Sequence, residues 1–297
     1  MEIVIAREVP IAEKNEGGAT RGGGVKSHNR QHLIGDDAPD GLNFTLSRSE
    51  WFAGDDIPTI PRHHHAFQQI RWTESGAVNF APNQDIQAGD LAYFPKGAYY
   101  GPQRRPAGIG LTIQFGLNGE KQAGKGYWEQ FTPTVLEKLW ANGNFEGGLY
   151  YDIDDQTGEE RVRDSSQAVH EERYFQATGK KYVIPDGGYD AAIWMHPRAF
   201  EYFAVAPGVE KKNLGRFYDH PGMNADVRLE MVRLSDDGIY TLEPDRAQVA
   251  WSIADGLKID DRSYPALTCL YSPRDEKLEI SGRDGVELHL VGFPHLD

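Results

Sequence analysis

The chain has 297 residues and a formal net charge of −14. A field of this sign repels nucleic-acid phosphates and anionic lipid surfaces, so nucleic acid and membranes are excluded as expected partners. The sequence has neither a bilayer-spanning apolar run nor a secretory signal at its N-terminus, which predicts a cytoplasmic protein. The single cysteine, Cys269, lies in an apolar stretch and is expected to be a buried hydrophobe.

The first 40 residues differ in composition from the rest of the chain. Residues 1–40 predict a flexible N-terminal arm, because the run at 16–24 is rich in glycine and polar residues. His28 and His32 fall in this arm and are expected to be solvated. From residue 42 onward, short strand signals alternate with Gly, Pro and Asn, which predicts an N-terminal antiparallel barrel over 41–118.

The middle and the end of the chain complete a mostly all-β fold. Residues 119–200 predict a connector with short helices. One helix is expected to begin at a capping box, Thr134–Glu137, and another to cover Ser166–Thr178 with Gly179 as its stop. Strand signals return from 201 to 297 and predict a second antiparallel barrel. The fold class is therefore two antiparallel β-barrels or jelly rolls joined by a helical connector.

The chemistry is concentrated near residues 63–69. In a strand, alternate residues face the same side, so His63, His65 and Gln69 are expected to point together into the barrel. Two imidazoles on one face are a natural pair of ligands for a divalent transition metal. A later strand ends in the turn Pro95-Lys96-Gly97, which is expected to present Tyr100.

Each of these two blocks resembles a motif of the cupin superfamily. The first block, His63-x-His65, three residues, Gln69, six residues and Gly76, keeps the spacing of the first cupin motif, with Gln in place of the usual Glu.

The second block keeps the spacing of the second cupin motif. It consists of Gly89, five residues, Pro95-x-Gly97, two residues and Tyr100, which replaces the usual His. From about residue 203 the resemblance is limited to the pattern of short strands and turns, which implies a degenerate second cupin barrel.

The resemblance implies a set of site residues. His63, His65 and Gln69 are the implied metal ligands, and Tyr100 and Gln69 are the implied catalytic residues. Gln69 is open between weak ligand and hydrogen-bond partner. Tyr100 is expected to contact substrate or transfer a proton, with direct ligation of the metal and plain packing as the alternatives. Further residues expected near the pocket are Gln114, Tyr93, Arg71 and His196.

The implied function is a metal-dependent enzyme acting on a small molecule. A dioxygenase-like oxidoreductase with an aromatic or enolisable substrate is the first expectation, with Fe(II) as the metal and Mn, Ni, Zn or Cu as alternatives. A metal-free or degenerate bicupin that binds a small molecule, and a cupin isomerase, lyase or hydrolase, are the alternatives. A homodimer is the expected assembly.

Overall fold

A computed structural model describes residues 1–14, 28–37, 41–52, 59–104, 107–117, 127–154 and 156–296. The glycine-rich run at 16–24 lies outside the described residues. The chain divides into two compact units, which we call the first unit (residues 11–194) and the second unit (residues 1–10 and 195–297). No helix in the described part of the chain has the length and apolar character needed to cross a membrane.

The secondary structure is dominated by antiparallel strands, which confirms the predicted mostly-β fold class. The strands of residues 1–153 are β1 (Glu2–Ile5), β2 (Ala12–Lys14), β3 (His28–Asp37), β4 (Leu42–Trp51), β5 (Gln68–Ala81), β6 (Gln84–Gln87), β7 (Leu91–Phe94), β8 (Gly108–Leu117), β9 (Gly143–Glu146) and β10 (Leu149–Ile153). The strands of residues 160–292 are β11 (Glu160–Asp164), β12 (Ile193–Met195), β13 (Phe203–Ala206), β14 (Val209–Tyr218), β15 (Asp226–Leu234), β16 (Gly238–Leu242), β17 (Gln248–Ser252), β18 (Leu257–Ile259), β19 (Arg262–Tyr264), β20 (Thr268–Ser272), β21 (Leu278–Gly282) and β22 (Val286–Gly292). The helices are α1 (Tyr127–Asn142) and α2 (Ser165–Thr178), and two 3₁₀ turns lie at Ala6–Glu8 and Pro197–Ala199.

The main sheet of the first unit sets the direction of the site residues. Its strand order is β12-β7-β5-β8-β4-β3-β2, with β6 paired to β5. Gln69 of β5 lies opposite Gln114 of β8, and Arg71 lies opposite Thr112. Thr112 in turn lies opposite Ser47 of β4. Because side chains directly opposite one another share a face, this register gathers polar groups on one face of the sheet.

The structure corrects the predicted boundary at residue 40. In the described parts of residues 1–40, β1 pairs with β20 in the second unit, whereas β3 pairs along β4 in the first unit. These residues are therefore strands and not a flexible arm. The polar composition of β3 concealed it, because a strand that faces a polar interior lacks the apolar alternation by which a strand is recognised in a sequence.

The predicted connector over 119–200 is largely part of the first unit. Strands β9, β10 and β11 form a separate antiparallel sheet there. They share an apolar cluster with the two helices, made of Val135, Leu139, Phe145, Tyr150 and Ala168.

The helix predictions for this region had different outcomes. Helix α2 agrees with the prediction: Asp164 accepts from the backbone N–H groups of Ser166 and Gln167, and Gly179 ends the helix in a left-handed conformation. The capping box predicted at Thr134 is wrong, because α1 begins at Tyr127 and Thr134 lies inside it.

The second unit has an apolar core between its sheets. Its sheets have the orders β1-β20-β17-β22-β15-β14-β13 and β16-β21-β18-β19. Cys269 is fully buried on β20, as predicted. Side chains of both sheets meet in one apolar core, which contains Val209, Val232, Leu234, Leu242, Ala250, Leu257, Ile259, Leu270, Leu278, Ile280, Val286, Leu288 and Leu290. The core of this unit is thus made of aliphatic side chains.

Acid sensitivity is expected to come from one buried histidine in the second unit. His289 is stacked on Trp251, with ring centroids 4.9 Å apart, and burial lowers its pKa to about 3, with a smaller contribution from the Lys212 charge. The unfolded chain takes up the proton near pH 6.5, so folding stability is lost as pH falls below that value. The loss attributable to His289 should reach about 2 kcal/mol at pH 5.

The His289→Leu variant tests this expectation. Urea unfolding at pH 7, 6 and 5, followed by tryptophan fluorescence, should show a smaller acid loss of stability in the variant than in the wild type. The exposed His196 of the same unit provides the matched control, His196→Leu, which should keep the wild-type pH dependence. An unchanged slope in His289→Leu would contradict the assignment.

Candidate functional site

A short antiparallel bridge joins the two motif blocks. The backbone N–H of His63 donates to the Tyr100 carbonyl and that of Tyr100 donates to the His63 carbonyl, each over 3.0 Å. The Gly97 N–H donates to the His65 carbonyl over 2.8 Å. Strand β5 begins only at Gln68, so the prediction that His63, His65 and Gln69 alternate along one strand is wrong. Pairing between segments, and not alternation, brings these residues together.

The imidazoles of His63 and His65 lie side by side. Their ring centroids are 5.1 Å apart and their planes meet at 68°. His63 Nδ1 lies 2.8 Å from the Pro61 carbonyl oxygen, which can only accept. In the neutral ring, Nδ1 therefore carries the hydrogen and Nε2 carries the lone pair. This is how outer partners orient metal-ligating histidines.

Aromatic rings surround the histidine pair. The Tyr100 ring is 4.3 Å from that of His63 and 5.9 Å from that of His65. Phe67 is stacked on His65, with centroids 4.5 Å apart. His170 of α2 lies 6.0 Å from His65, a neighbour that the sequence does not predict because only the packing of the helix places it there.

His64 is directed away from this pair. Its ring is stacked on Tyr99, with centroids 4.0 Å apart, and its Nδ1 lies 3.2 Å from the Gly97 carbonyl oxygen. This packing is typical of a histidine with a structural role. His64 is therefore a natural control for the other two histidines.

Gln69 connects the histidine pair to a second group of polar residues. Its side chain is buried, and its amide nitrogen lies 3.5 Å from the Tyr100 hydroxyl while its oxygen accepts from Gln114 Nε2 over 2.9 Å. With the amide turned, its oxygen accepts from Arg71 Nε and Nη2, over 3.0 and 3.1 Å. In either orientation Gln69 is a hydrogen-bond partner of its neighbours, which is one of the two roles open from the sequence.

The second group lines a cavity inside the barrel, which we call the polar cavity. Its volume is about 110 Å³. It is bounded mainly by hydroxyl, amide and guanidinium groups. The described lining residues are His28, Arg30, Ser47, Ser49, Trp51, Gln69, Arg71, Ala77, Val78, Asn79, Gln103, Thr112 and Gln114.

The residues expected near the pocket are placed differently from one another. Gln114 and Arg71 line the polar cavity. Tyr93 is not among the described lining residues, and its hydroxyl donates to Gln68, which neighbours Gln69 on the opposite face of β5. His196 is exposed and belongs to the second unit.

Ten of the 13 described lining residues are not predicted by the sequence, and His28 and Arg30 are among them. His28 and Arg30 belong to β3, and His28 is buried, so the expectation that it is solvated is wrong. The neighbouring His32 is exposed, as expected. Strand β3 reaches the polar cavity by pairing with β4. No pattern within residues 28–32 therefore indicates that His28 and Arg30 line it.

Gly97 holds the turn that presents Tyr100, and replacing it should destabilise the first unit. Its φ is +75°, and an added Cβ would lie 2.3 Å from the Pro185 carbonyl oxygen and 2.6 Å from the Gly187 nitrogen. Both contacts are with backbone, which cannot move aside cheaply. Gly97→Ala should therefore lower the free energy of unfolding by about 3 kcal/mol.

The matched control separates backbone strain from the clash. Gly158 has a similar φ of +72° but nothing within 4 Å of an added Cβ. Gly158→Ala should cost only the strain of about 1 kcal/mol that a left-handed conformation imposes on alanine. Equal losses for the two variants in urea unfolding would show that the turn is not tightly packed.

No protein-family model matches the sequence, and no curated protein matches it. Solved structures do match its fold. A protein of Nostoc punctiforme described as a candidate dioxygenase aligns at a TM-score of 0.57 and 12% identity, over 99% of this chain and 83% of the other. HEPD of Streptomyces albus, solved with 2-hydroxyethylphosphonate and Fe(II), aligns at 0.51 and 11%, over 99% and 76%.

Oxalate decarboxylase of Bacillus subtilis is a further structural neighbour. One of its variants aligns at a TM-score of 0.52 and 12% identity, over 100% of this chain and 78% of that one. At such identities the likeness concerns the fold. The chain thus shares the fold of these three proteins.

Proposed function

We propose that the protein is a metal-dependent enzyme acting on a small molecule at the His63–His65 pair. The observation that carries the proposal is the paired imidazoles, 5.1 Å apart, with the Nδ1 of His63 directed to the Pro61 carbonyl. A backbone carbonyl on one ring nitrogen directs the other nitrogen to a metal. The residue types of the pair therefore fit a divalent transition metal.

The other predicted ligands fit such a metal less well. Gln69 supplies a neutral oxygen that neighbouring N–H groups already engage, and Tyr100 is a phenol. Among the described residues, no group of three or more His, Cys, Asp or Glu is arranged to hold a metal. His63 and His65 would thus hold the metal, with Gln69 and Tyr100 beside it. Affinity should be lower than in a site that includes a carboxylate.

The chemistry depends on what a metal and the chain would each contribute. A bound metal would supply Lewis-acid or redox chemistry to a coordinated small molecule. Tyr100 can hold or donate a proton at its hydroxyl, which Gln69 orients from 3.5 Å. Phe67 and Phe94, both buried, limit the access of water to this region.

The structural neighbours support an enzyme with an oxidative or decarboxylating reaction. They include a candidate dioxygenase, HEPD with Fe(II), and oxalate decarboxylase studied for its Mn(II) centres. We propose a dioxygenase-like oxidoreductase with Fe(II) as the first choice of metal and Mn as the second. The choice of reaction class rests on these neighbours, because one fold serves many chemistries. The homodimer and the cytoplasmic location stay predictions.

Metal analysis of the untagged protein tests the proposal. The wild type, reconstituted with Fe(II), Mn, Ni or Zn, should retain one of these metals after gel filtration. The His63→Ala/His65→Ala variant should lose it, with affinity reduced by more than about tenfold. His64→Ala should retain the metal, because His64 is stacked on Tyr99 and directed away from the pair.

Two results would overturn the proposal. One is a wild type that retains none of the four metals. The other is equal metal retention by the double variant and by His64→Ala. Either result would favour the metal-free small-molecule binder that the sequence left as an alternative.

A further inference from the structure

The described lining of the polar cavity contains arginines, in contrast to the acidic balance of the whole chain. The protein has 45 acidic and 31 basic residues, which gives the net charge of −14. The described lining of the cavity nevertheless contains two arginines, Arg30 and Arg71, and no Asp or Glu. Interior charge of one sign focuses the field and raises the local concentration of an oppositely charged ligand.

We infer that the polar cavity binds the oxyanion group of a small organic substrate, such as a carboxylate or a phosphate ester. The inference rests on the proposed function, since it names the substrate class of the same site. A guanidinium group matches an oxyanion with two parallel N–H donors, and such charge-assisted bonds are about twice as strong as neutral ones. Arg30 and Arg71 come from different strands, β3 and β5, and both line the polar cavity.

Arg71 is held in place by its neighbours. Its Cζ lies 4.8 Å from the centroid of the Phe94 ring and 5.5 Å from that of Tyr100. The Gln69 amide lies within 3.1 Å of its guanidinium nitrogens. These partners are neutral, and they hold the guanidinium in a fixed orientation. A charge fixed in this way loses little conformational freedom when it binds a ligand.

The remaining lining suits the same ligand. Arg30 donates through Nη2 to the Ser47 hydroxyl over 3.0 Å, which places that arginine beside the serines of β4. Ser49 and Thr112 supply further hydroxyl donors, and Gln114 supplies an amide. The cavity, at about 110 Å³, is smaller than the roughly 300 Å³ at which pockets for drug-sized molecules begin. The substrate is therefore a compact anion.

The cavity also adjoins the histidine pair through shared residues. Gln69 lines the cavity and reaches to 3.5 Å from the Tyr100 hydroxyl, and the Tyr100 ring lies 4.3 Å from that of His63. An oxyanion held by Arg71 would therefore have its organic remainder near Tyr100. This arrangement separates recognition of the charged group from the chemistry at the histidine pair.

Calorimetry of the full chain with defined probes tests the inference. Malonate and inorganic phosphate, each titrated at constant ionic strength, distinguish a carboxylate from a phosphate preference. At least one of the two should bind, and malonamide, the neutral counterpart of malonate, should bind at least about tenfold more weakly than malonate. This comparison within the wild type does not depend on any variant folding.

Variants then assign the binding to the arginines. Arg71→Met and Arg30→Met should each weaken binding of the preferred probe by at least about tenfold. Arg48→Met is the matched control. Arg48 alternates with Ser47 and Ser49 to the opposite face of β4, where its Nε pairs with Glu74 Oε2 over 2.7 Å, so this variant should bind like the wild type.

The outcomes separate this inference from the proposed function. Binding that survives in His63→Ala/His65→Ala, despite loss of metal, supports the oxyanion site independently of the metal. A wild type that retains metal but binds neither probe would overturn the inference and leave the proposed function standing. Equal binding by Arg71→Met and the wild type, or equal binding of malonate and malonamide, would also overturn it.

Discussion

Two reciprocal backbone hydrogen bonds between His63 and Tyr100 are the constraint on which the candidate site depends. They join a segment that precedes β5 to the turn that comes after β7, and these segments are far apart in sequence. The third bond, from Gly97 to His65, extends the contact by one more pair. Because all three bonds involve only the backbone, they do not depend on which side chain stands at position 100.

The two units use similar antiparallel sheets for different interiors. In the second unit, aliphatic side chains from both sheets meet and fill the core. In the first unit, the sheet face that carries Gln69 and Gln114 is polar and encloses the polar cavity. Burial of polar groups is unfavourable unless they are hydrogen-bonded. The pairs between Gln69 and Gln114 and between Arg30 and Ser47 meet that condition.

Charge connects the two proposals. The chain offers a metal no carboxylate at positions 63, 65 and 69. Arg71 adds a positive charge beside Gln69. A cation held at the histidine pair and the guanidinium of Arg71 would repel each other less with an anion between or beside them. A substrate oxyanion would supply the negative charge that Gln69, a neutral amide, does not provide.

The sequence by itself determined the mostly-β class, the helix over Ser166–Thr178 and the grouping of His63, His65, Gln69 and Tyr100. These features depend on short-range signals: turn residues, a helix stop and the spacing of two motifs. The spacing of the two motifs can be read from the sequence because it corresponds to the number of residues that each turn needs.

Only the tertiary structure decided to which unit β1 and β3 belong and which residues line the polar cavity. Strand β1 joins the second unit and β3 joins the first, although both lie in a range whose composition predicts an arm. His28 and Arg30 reach the polar cavity, and His170 reaches His65, through partners distant in the sequence. Strand pairing and helix packing depend on residues that are far apart in the sequence. A strand such as β3, which has a polar face inside, also lacks the apolar alternation that would indicate a strand.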